Sequence, residues 1–335
     1  MNKKIIRWII GVSVLAAILA CAGVISLSVG SAGIPLKRII PLIFEGKGST
    51  EYSILFDIRL PRIILGFAVG GALTLAGVIL QGMFRNPLVE PYTLGISGGA
   101  ALGVSLNIVF KLYKSGLLTL PLFGFLGALL IILMLYFINM RKGIIKLQGL
   151  LLNGVMISFI SSSLIMLIMS LSRAEDMHGI IFWIMGSLDE PNWFIIKVTA
   201  AAVTVLFVVS YLFCFDLNAF SLGEEEALHL GIRVERSKRI LFVIASLLAG
   251  FSVSIAGMIG FVGLVVPHFI RMLVGGDHRV LIPASFLTGG AFLIFCDTIA
   301  RTIIAPMELP VGVITGILGG SLFIYALAKK GSSCA

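Results

Sequence analysis

Charged side chains are scarce in this sequence. Asp, Glu, Lys and Arg make up 12% of the 335 residues, whereas 59% are hydrophobic. Soluble domains carry about 25% charged residues, so an ordinary soluble enzyme and a disordered chain are both excluded. Uncharged runs recur along the whole chain, and a helix needs roughly 20 apolar residues to cross a bilayer. The sequence therefore predicts an all-α protein with many membrane-spanning helices.

Residues that carry catalysis or bind metals are also sparse. The four cysteines and four histidines form no Cys-x-x-Cys or His-Glu-x-x-His pattern. They are scattered over Cys21, Cys214, Cys296, Cys334, His178, His229, His268 and His278. No disulfide framework, metal, cofactor or catalytic residue is therefore expected. Gly46-Lys47-Gly48 lacks the first glycine and the following Ser or Thr of a nucleotide-binding loop, so any active transport takes its energy from another subunit or an ion gradient.

Ionisable residues in the middle of the apolar runs are equally rare. The runs at 8–29, 63–84, 118–138 and 149–171 contain none, although an ion-coupled carrier places such residues inside the membrane. Asp297 and Arg301, near the end of one run, are four residues apart and can pair on one helix face. The pattern argues against a proton or sodium relay and leaves an ion-coupled carrier working alone as the minor alternative.

Ten uncharged runs define the expected spans. They lie near 8–29, 63–84, 91–110, 118–138, 149–171, 198–215, 240–257, 259–270, 280–296 and 309–328. The stretch from Ile240 to Pro267 contains no charge, so it fits either one long span or a tight hairpin of two spans. Gly257, Gly260 and Gly263 mark the position of a bend in the second arrangement.

Basic residues decide between these two arrangements, because Lys and Arg accumulate in short cytoplasmic loops. With a hairpin, the cytoplasmic cations are Lys3, Lys4, Arg7, Arg85, Arg141, Lys142, Lys146, Arg233, Arg236, Lys238, Arg239, Arg271, Arg279, Lys329 and Lys330. A single span sends the last four of them outside. Ten spans with both termini in the cytoplasm is therefore the better prediction. The net charge of +9 then reflects orientation in the membrane and not a nucleic-acid partner.

Two connecting segments are too long to be simple turns. Residues 30–61 are expected outside and include an amphipathic stretch at Ile34–Phe44. Residues 216–239 are expected in the cytoplasm as short helices broken by Gly223 and Gly231. Their apolar and acidic residues are Leu222, Ala227, Leu228 and Leu230 with Glu224, Glu225 and Glu226. The glutamates are either a solvated first turn, which the helix dipole favours, or part of a contact surface.

Short motifs follow one another in a fixed order along the chain. The first half has Arg59-Leu60-Pro61-Arg62, Ala76-Gly77, Gln81-Gly82, Asn86-Pro87-Leu88-Val89-Glu90-Pro91, Leu94-Gly95-Ile96-Ser97 and Gly98-Gly99-Ala100. The second half has Ser221-Leu222-Gly223, Ala227, Leu230-Gly231, Gly260-Phe261-Val262-Gly263-Leu264, Pro267-His268, Arg271, Asp277-His278-Arg279, Leu281, Pro283, Asp297, Ala300-Arg301 and Glu308-Leu309-Pro310-Val311-Gly312. With this order the sequence resembles the FecCD-type permeases of ABC importers for iron chelates, haem and cobalamin. One departure is Gly319-Gly320-Ser321-Leu322-Phe323, where the family usually has Gly-x-Pro-x-Phe.

The resemblance implies a type II ABC importer permease fold with one transmembrane domain over residues 1–335. It implies a second permease subunit, identical or different, around a central pathway. Two cytoplasmic ATP-binding subunits drive transport, and an extracytoplasmic binding protein delivers the ligand. The chain is then a multi-pass protein in the lipid of a prokaryotic plasma or inner membrane and performs no chemistry itself. The implied ligand is a ferric siderophore, with cobalamin or haem as alternatives.

Three arginines resemble the family's outer docking residues. Arg59, Arg62 and Arg301 match the positions that receive acidic residues on the two lobes of the binding protein. Exposed guanidinium groups bind carboxylates in a bidentate manner and steer an acidic partner. The alternatives are ordinary anchoring at the membrane interface and, for Arg301, a pair with Asp297.

The cytoplasmic residues with implied roles fall into a coupling set and a gate set. The coupling set, which resembles the helices that sit in a groove of the ATPase, is Leu222, Gly223, Glu224, Ala227, Leu230 and Gly231. The gate set resembles the residues that close the family's pathway on the cytoplasmic side. It consists of Asn86 and Leu88 after the second span, and Leu147 and Gln148 before the fifth. The last two positions depend on aligning Leu150-Leu151-Leu152-Asn153-Gly154. Pro267, His268 and Asp277-His278-Arg279 are expected to form a structural loop.

Overall fold

Seven helices in the described part of the chain, residues 3–30, 33–45, 48–141, 144–190 and 192–331, are long and apolar enough to cross a membrane. In this computed structural model the chain begins with α1 (Lys3–Ser28), α2 (Leu36–Glu45), α3 (Thr50–Ser53), α4 (Leu60–Phe84), α5 (Ile96–Val109), α6 (Thr119–Asn139), α7 (Leu147–Leu171) and α8 (Ala174–Met185). It continues with α9 (Trp193–Leu212), α10 (Cys214–Phe220), α11 (Glu224–His229), α12 (Val234–Ala256), α13 (Val262–Val274), α14 (His278–Thr302) and α15 (Val311–Gly331). The seven long spans are α1, α4, α6, α7, α9, α12 and α14.

Three further apolar helices, α5, α13 and α15, coincide with the remaining expected spans. The hairpin interpretation of residues 240–275 is confirmed. Helix α12 ends at Ala256, Gly257 has a φ of 70°, and α13 begins at Val262. Glycine adopts this left-handed conformation without the steric cost of a Cβ atom, and the chain can therefore reverse at this point.

Two of the apolar helices are shorter than a full span. Helices α5 and α13 have 14 and 13 residues, so each is about 20 Å long against an apolar layer of about 30 Å. The stretches that precede them, a short 3₁₀ helix (Pro91–Leu94) with its flanking residues and the turn after α12, contact each other. Glu90 Oε1 accepts a hydrogen bond from the Phe261 backbone N–H at 2.6 Å, and the Tyr92 hydroxyl oxygen accepts one from Ile259 at 3.1 Å. Non-helical backbone at membrane depth is tolerated when protein groups satisfy it in this way.

Helix α4 is the most buried of the long spans and packs against α9, α12, α13 and α14. Glycines allow its backbone to touch its neighbours. A Cβ atom at Gly77 would lie 1.9 Å from the Gly263 carbonyl oxygen, and one at Gly70 would lie 2.3 Å from that of Gly289. Small residues permit such close approach in membranes, so these glycines serve helix packing.

Two elements were not anticipated from the sequence. Helix α8 lies between the expected spans 149–171 and 198–215; its 12 residues are too few for a span, and its first turn contains Glu175 and Asp176. It nevertheless packs against α5 and buries Ile180. A hairpin of two short strands, β1 (Met140–Arg141) and β2 (Ile144–Ile145), joins α6 to α7.

Four residues singled out in the sequence lie outside the described residues, namely Gly46, Lys47, Lys142 and Cys334.

The two ends of the bundle bring distant segments together. At one end, Lys4 Nζ lies 3.9 Å from Asp277 Oδ2, and Asp277 accepts a hydrogen bond from Asn218 on α10. At the opposite end, Arg301 donates to Ser26. We name these the coupling end, which holds α10 and α11, and the arginine end. Helix α1 begins at the coupling end, and α15 runs from the arginine end back towards it.

Candidate functional site

Arg301 joins α14 to the end of α1 at the arginine end. Its Nε donates to Asp297 Oδ2 at 2.9 Å, one turn earlier on the same helix, and its Nη2 donates to Ser26 Oγ at 2.8 Å. Both members of the Arg301–Asp297 pair are buried. The expected alternative of an intrahelical pair is thus present, since a spacing of four residues puts the two side chains on one face.

Arg62 joins three segments of the chain. Its Nη1 lies 2.7 Å from Glu308 Oε2, and its Nη2 lies 2.9 Å from Asp189 Oδ1. Arg59 lies at the end of a π-helical turn (Ile54–Arg59) and donates through Nη1 to the Leu27 carbonyl oxygen at 2.5 Å. Each guanidinium group therefore binds acceptors of the same chain.

The expectation that these arginines are exposed is wrong for this structure. Arg59 is 2% exposed, and Arg62 and Arg301 are each 6% exposed. The cause is that α1, α14 and the connecting segments after α8 and α14 supply oxygen acceptors in place of water, which a buried cation requires. The accessible charged groups beside Arg62 are carboxylates, since the side chains of Asp189 and Glu308 are 67% and 47% exposed.

Sequence reasoning assigned no role to Asp189 and recognised Glu308 only as part of a motif. The Arg62–Glu308 hydrogen bond spans 246 positions of sequence, so no local spacing could indicate it. The spacing of Arg59 and Arg62 predicts that two cations lie about one helical turn apart. It does not predict which oxygen atoms accept their hydrogen bonds.

The coupling segment consists of α10 and α11 with glycine turns between and after them. Gly223 and Gly231 have φ values of 134° and 82°, and these conformations end the two short helices as expected. Leu222 and Leu230 are exposed, whereas Ala227 is fully buried. Leu228, which was not in the predicted coupling set, is also exposed and adds to an apolar surface with Leu222 and Leu230.

Glu224 is anchored to α12 and is not merely a solvated first-turn residue. The buried Lys238 Nζ lies 2.5 Å from Glu224 Oε2 and 3.1 Å from Glu235 Oε1. On the same helix, Ser237 donates a hydrogen bond to Asp216 of α10. The coupling segment is therefore attached to α12 by two polar contacts. Sequence reasoning identified Lys238 only as a cytoplasmic cation.

A cavity of 610 Å³ at the coupling end connects the gate set to the coupling set. Its walls include Asn86, Leu147, Gln148, Glu224 and Lys238. The fourth gate residue, Leu88, is not part of this wall and has an exposed side chain. Its backbone N–H donates to Asn86 Oδ1 at 3.0 Å, which fixes the turn after α4.

The Asp277-His278-Arg279 motif connects α10 to the start of α14. Asn218 Nδ2 donates to Asp277 Oδ1 at 3.1 Å, and the His278 backbone N–H donates to Asn218 Oδ1 at 2.8 Å. Hydrogen bonds from Arg279 hold the pKa of the Asp277 carboxyl well below its usual range. The expectation of a structural loop is wrong for most of these residues: Asp277 caps α14, His278 and Arg279 form its first turn, and Pro267 and His268 lie within α13. The motif joins the coupling segment to a long span through the contacts with Asn218.

Among the described residues, no group of three His, Cys, Asp or Glu side chains is arranged to hold a metal ion. The polar clusters at both ends consist of ion pairs and hydrogen bonds between helices. Such an arrangement can bind a protein partner and transmit movement, and it offers no nucleophile paired with a base.

Comparison with known proteins identifies the class. Residues 18–329 match the FecCD transport family, and the chain belongs to that family. It is 39% identical over 282 residues to the hemin transport system permease protein HmuU of Yersinia pestis, covering 83% of this chain and 84% of that protein. It is 38% identical over 305 residues to the cobalamin import system permease protein BtuC of Halobacterium salinarum, covering 90% and 81% of the two chains.

A solved structure supports the same assignment. A metal-chelate type ABC transporter in an inward-facing conformation matches with a TM-score of 0.84 and 30% sequence identity, over 96% of this chain and 99% of that one. The prediction of an all-α type II ABC importer permease fold is therefore confirmed. The chain is a membrane transport permease, a class that works with ATP-binding subunits and binding proteins.

Proposed function

We propose that this chain is the membrane-spanning subunit of an ATP-driven importer that carries a metal chelate into a prokaryotic cytoplasm. The cavity at the coupling end carries the proposal, because it puts Asn86, Leu147 and Gln148 beside the segment that would contact an ATPase. A second permease subunit, identical or different, completes the pathway. Two ATP-binding subunits bind the coupling end, which lies in the cytoplasm with both termini, and a binding protein docks at the arginine end.

In this proposal the coupling segment transmits movement through its polar contacts. Closure of the ATP-binding subunits displaces α10 and α11. The Glu224–Lys238 ion pair carries the displacement to α12, and the contact between Asn218 and Asp277 carries it to the start of α14. The cavity changes width because Glu224 and the gate candidates share its wall.

Reconstitution of the full chain with its ATP-binding subunits and binding protein in liposomes tests this function. We expect uptake that requires ATP. Leu222→Asp combined with Leu230→Asp should weaken co-purification of the ATP-binding subunits by about tenfold or more, because charges replace apolar interface anchors. Leu117→Asp is the control, since Leu117 is also exposed but lies beside Asp189 at the arginine end. Uptake by the chain alone would contradict the proposal and favour an ion-coupled carrier.

The orientation of the chain in the membrane is tested by a separate measurement. A reporter fused after Asp277, in the turn between α13 and α14, should report the cytoplasm. An external readout would contradict both the hairpin topology and the placement of the coupling end.

Docking at the arginine end is proposed to work by exchange of carboxylates. Arg62 is buried, but its partners Asp189 and Glu308 are accessible. A carboxylate of the binding protein can replace either partner, so the guanidinium group stays paired throughout. Arg59 and Arg301 add positive charge beneath the same surface and thereby favour an acidic partner.

Charge reversal tests the docking proposal. Arg62→Glu, and separately Arg59→Glu, should reduce the stimulation of ATPase activity by loaded binding protein while the basal activity of the assembled complex persists. Arg38→Glu is the control, because Arg38 lies at the same end, is exposed and pairs with Glu51. Stimulation that is unchanged in folded Arg62→Glu protein would refute the docking role.

Within the metal chelates, we propose a ferric siderophore as the ligand, with haem and cobalamin as alternatives. The support is chemical: the matching solved structure is of metal-chelate type, and two relatives are named for haem and cobalamin. Few ionisable residues lie inside the long spans, which suits a bulky ligand passed along without a tight charged site. Mass spectrometry of the ligand on the cognate binding protein tests the choice, and uptake saturated by haem or cobalamin would overturn it.

A further inference from the structure

A continuous groove runs along one face of helix α1, and the neighbouring helices leave it open. A cavity of 720 Å³ lies between α1 and α13, and a second of 660 Å³ lies between α1 and α14. Val14 lines both. The α1 residues that line the groove include a series that recurs every three or four positions, namely Lys4, Trp8, Gly11, Leu15, Ile18 and Ala22. The two cavities are therefore successive parts of one groove along a single helix face.

The groove is basic only where it meets the coupling end. Lys4 Nζ lies 4.9 Å from the centre of the Trp8 ring, and the Arg279 guanidinium carbon lies 5.1 Å from it. Asp277 bonds Arg279 and lies 3.9 Å from Lys4, so it offsets one of the three cations. Arg7 makes no ion pair with any residue that the structure describes.

The rest of the groove is apolar. Beyond the cations, the floor of the first cavity is formed by Val14, Leu15, Ile270, Leu273 and Val274. The second cavity adds Ile18, Ile25, Phe292 and Phe295, with threonine as its most polar lining. Because α1 is almost wholly exposed along its length, this apolar track faces the surroundings of a membrane protein, which are acyl chains.

We propose that the groove binds one anionic phospholipid, whose phosphate lies between Lys4 and Arg7 beside Trp8 and whose acyl chain follows the apolar floor. Basic pockets between membrane helices hold anionic head groups, and tryptophan is enriched at the level of the head groups. In the orientation proposed above, the lipid belongs to the inner leaflet. A free phosphate ion would use only the basic mouth, whereas a lipid also fills the apolar track.

Quenching of Trp8 fluorescence tests the proposal. The full chain carries Trp183→Phe and Trp193→Phe, which leaves Trp8 as the sole tryptophan. It is reconstituted in phosphatidylcholine vesicles that contain increasing amounts of brominated phosphatidylglycerol or, in parallel, brominated phosphatidylcholine. We expect half-maximal quenching at a mole fraction about fivefold lower or more for the anionic lipid, the preference that one cation near the surface confers.

Two kinds of variant locate the effect. Lys4→Gln with Arg7→Gln removes the charges and should abolish the preference, and Arg7→Gln alone serves if the double variant unfolds. Gly11→Phe fills the groove without changing its charge, and it should also reduce the preference. A Cβ atom at Gly11 meets nothing closer than Val274 at 4.0 Å, so the substitution has room. Thermal unfolding of each variant verifies its fold.

Each other outcome overturns the proposal. Equal quenching by the two lipids means that the groove holds ordinary bilayer lipid, and a preference that survives both kinds of variant places the anionic lipid elsewhere. Loss of the preference in excess inorganic phosphate would assign the basic mouth to a free anion. Cys21 lines the groove while Cys214 and Cys296 are buried. In a Cys334→Ser chain, a bis-maleimide cross-link between the Cys21 residues of two copies would identify a second copy as the occupant.

Discussion

Both ends of the bundle hold a buried cation between two carboxylates, yet the exposed groups around the two cations differ. Arg62 lies between Asp189 and Glu308, and Lys238 lies between Glu224 and Glu235. Around Arg62 the most accessible charged group is the carboxylate of Asp189, whereas beside Lys238 the carboxylates are less exposed and the coupling segment adds three exposed leucines. The buried cations are thus the common element and join segments of the chain. In the proposed function, Arg62 exchanges its carboxylates for those of a partner, whereas the coupling end binds its partner through the leucines.

The two surfaces suit partners with different lifetimes. Attraction between the guanidinium groups and an acidic partner favours fast association and release, because electrostatic attraction acts mainly on the association rate. Exposed leucines on a short helix and in its flanking turns favour a lasting contact, since the centres of stable interfaces are apolar. In the proposed function a binding protein leaves after each delivery, whereas an ATP-binding subunit stays attached.

The largest expected effect comes from leaving a buried charge without its partner. Arg301→Ala isolates the buried carboxylate of Asp297, and removal of one member of a buried pair costs about 3–5 kcal/mol of unfolding free energy. Denaturant unfolding of the purified chain in detergent measures it. The double variant Arg301→Ala with Asp297→Ala should recover most of the loss. If the single and double variants are equally unstable, Arg301 does not act through Asp297.

A smaller effect, of about 1–3 kcal/mol each, is expected from Arg62→Met and Lys238→Met. Their partner carboxylates are partly exposed and can regain water. The two variants should impair different steps of transport. Arg62→Met should reduce stimulation by the binding protein and keep the ATP-binding subunits attached, whereas Lys238→Met should reduce ATP-driven uptake and keep the binding protein's affinity. If Arg62→Met and Lys238→Met reduce the same step, the two ends do not have the separate roles proposed here.

Ionic strength should distinguish the two contacts without any mutation. Raising salt to about 0.5 M shortens the Debye length to roughly 4 Å, so binding-protein affinity should fall by about tenfold. Attachment of the ATP-binding subunits should change by less than about twofold because its contact is apolar. Affinity measurements on the same preparation provide both numbers, and equal salt dependence at the two ends would contradict the assignment of their surfaces.

The smallest effect is expected from the accessible carboxylates. Glu308→Gln or Asp189→Asn should alter the unfolding free energy by less than about 1 kcal/mol, as exposed ion pairs generally do. Because either variant removes a competitor for Arg62, stimulation by the binding protein should rise modestly. Asp57→Asn, at an exposed site on the same end, is the control. A fall in stimulation would mean that these carboxylates contact the partner themselves.

Local sequence features were sufficient for the spans and the coupling segment. Uncharged runs mark spans because the bilayer imposes a length, and Gly257 marks the break between α12 and α13 because few other residues adopt its conformation. Gly223 and Gly231 delimit α11 for the same reason. In each case the determinant lies within a few residues of the feature that it produces.

The burial of the arginines could not be predicted in this way. The acceptors of Arg62 and Arg301 lie as far as 246 and 275 positions away in sequence, so their exposure depends on how helices converge. Helix α8 was missed because its 12 residues match no span length. The orientation of Leu228 and Leu88 likewise depends on tertiary packing, which decides the side of a short helix or turn that remains exposed.

The distance in sequence between Arg62 and Glu308 has a consequence for biogenesis. Glu308 is made 246 residues after Arg62, which at about 5–20 residues per second is roughly 12–50 seconds of synthesis. Through that interval the nascent chain carries a guanidinium group at the start of α4 whose final acceptor does not yet exist. Its position at the end of a span lets it reach the interfacial water meanwhile. The arginine end can therefore close only after Glu308 has been synthesised, which is later than every span from α1 to α14.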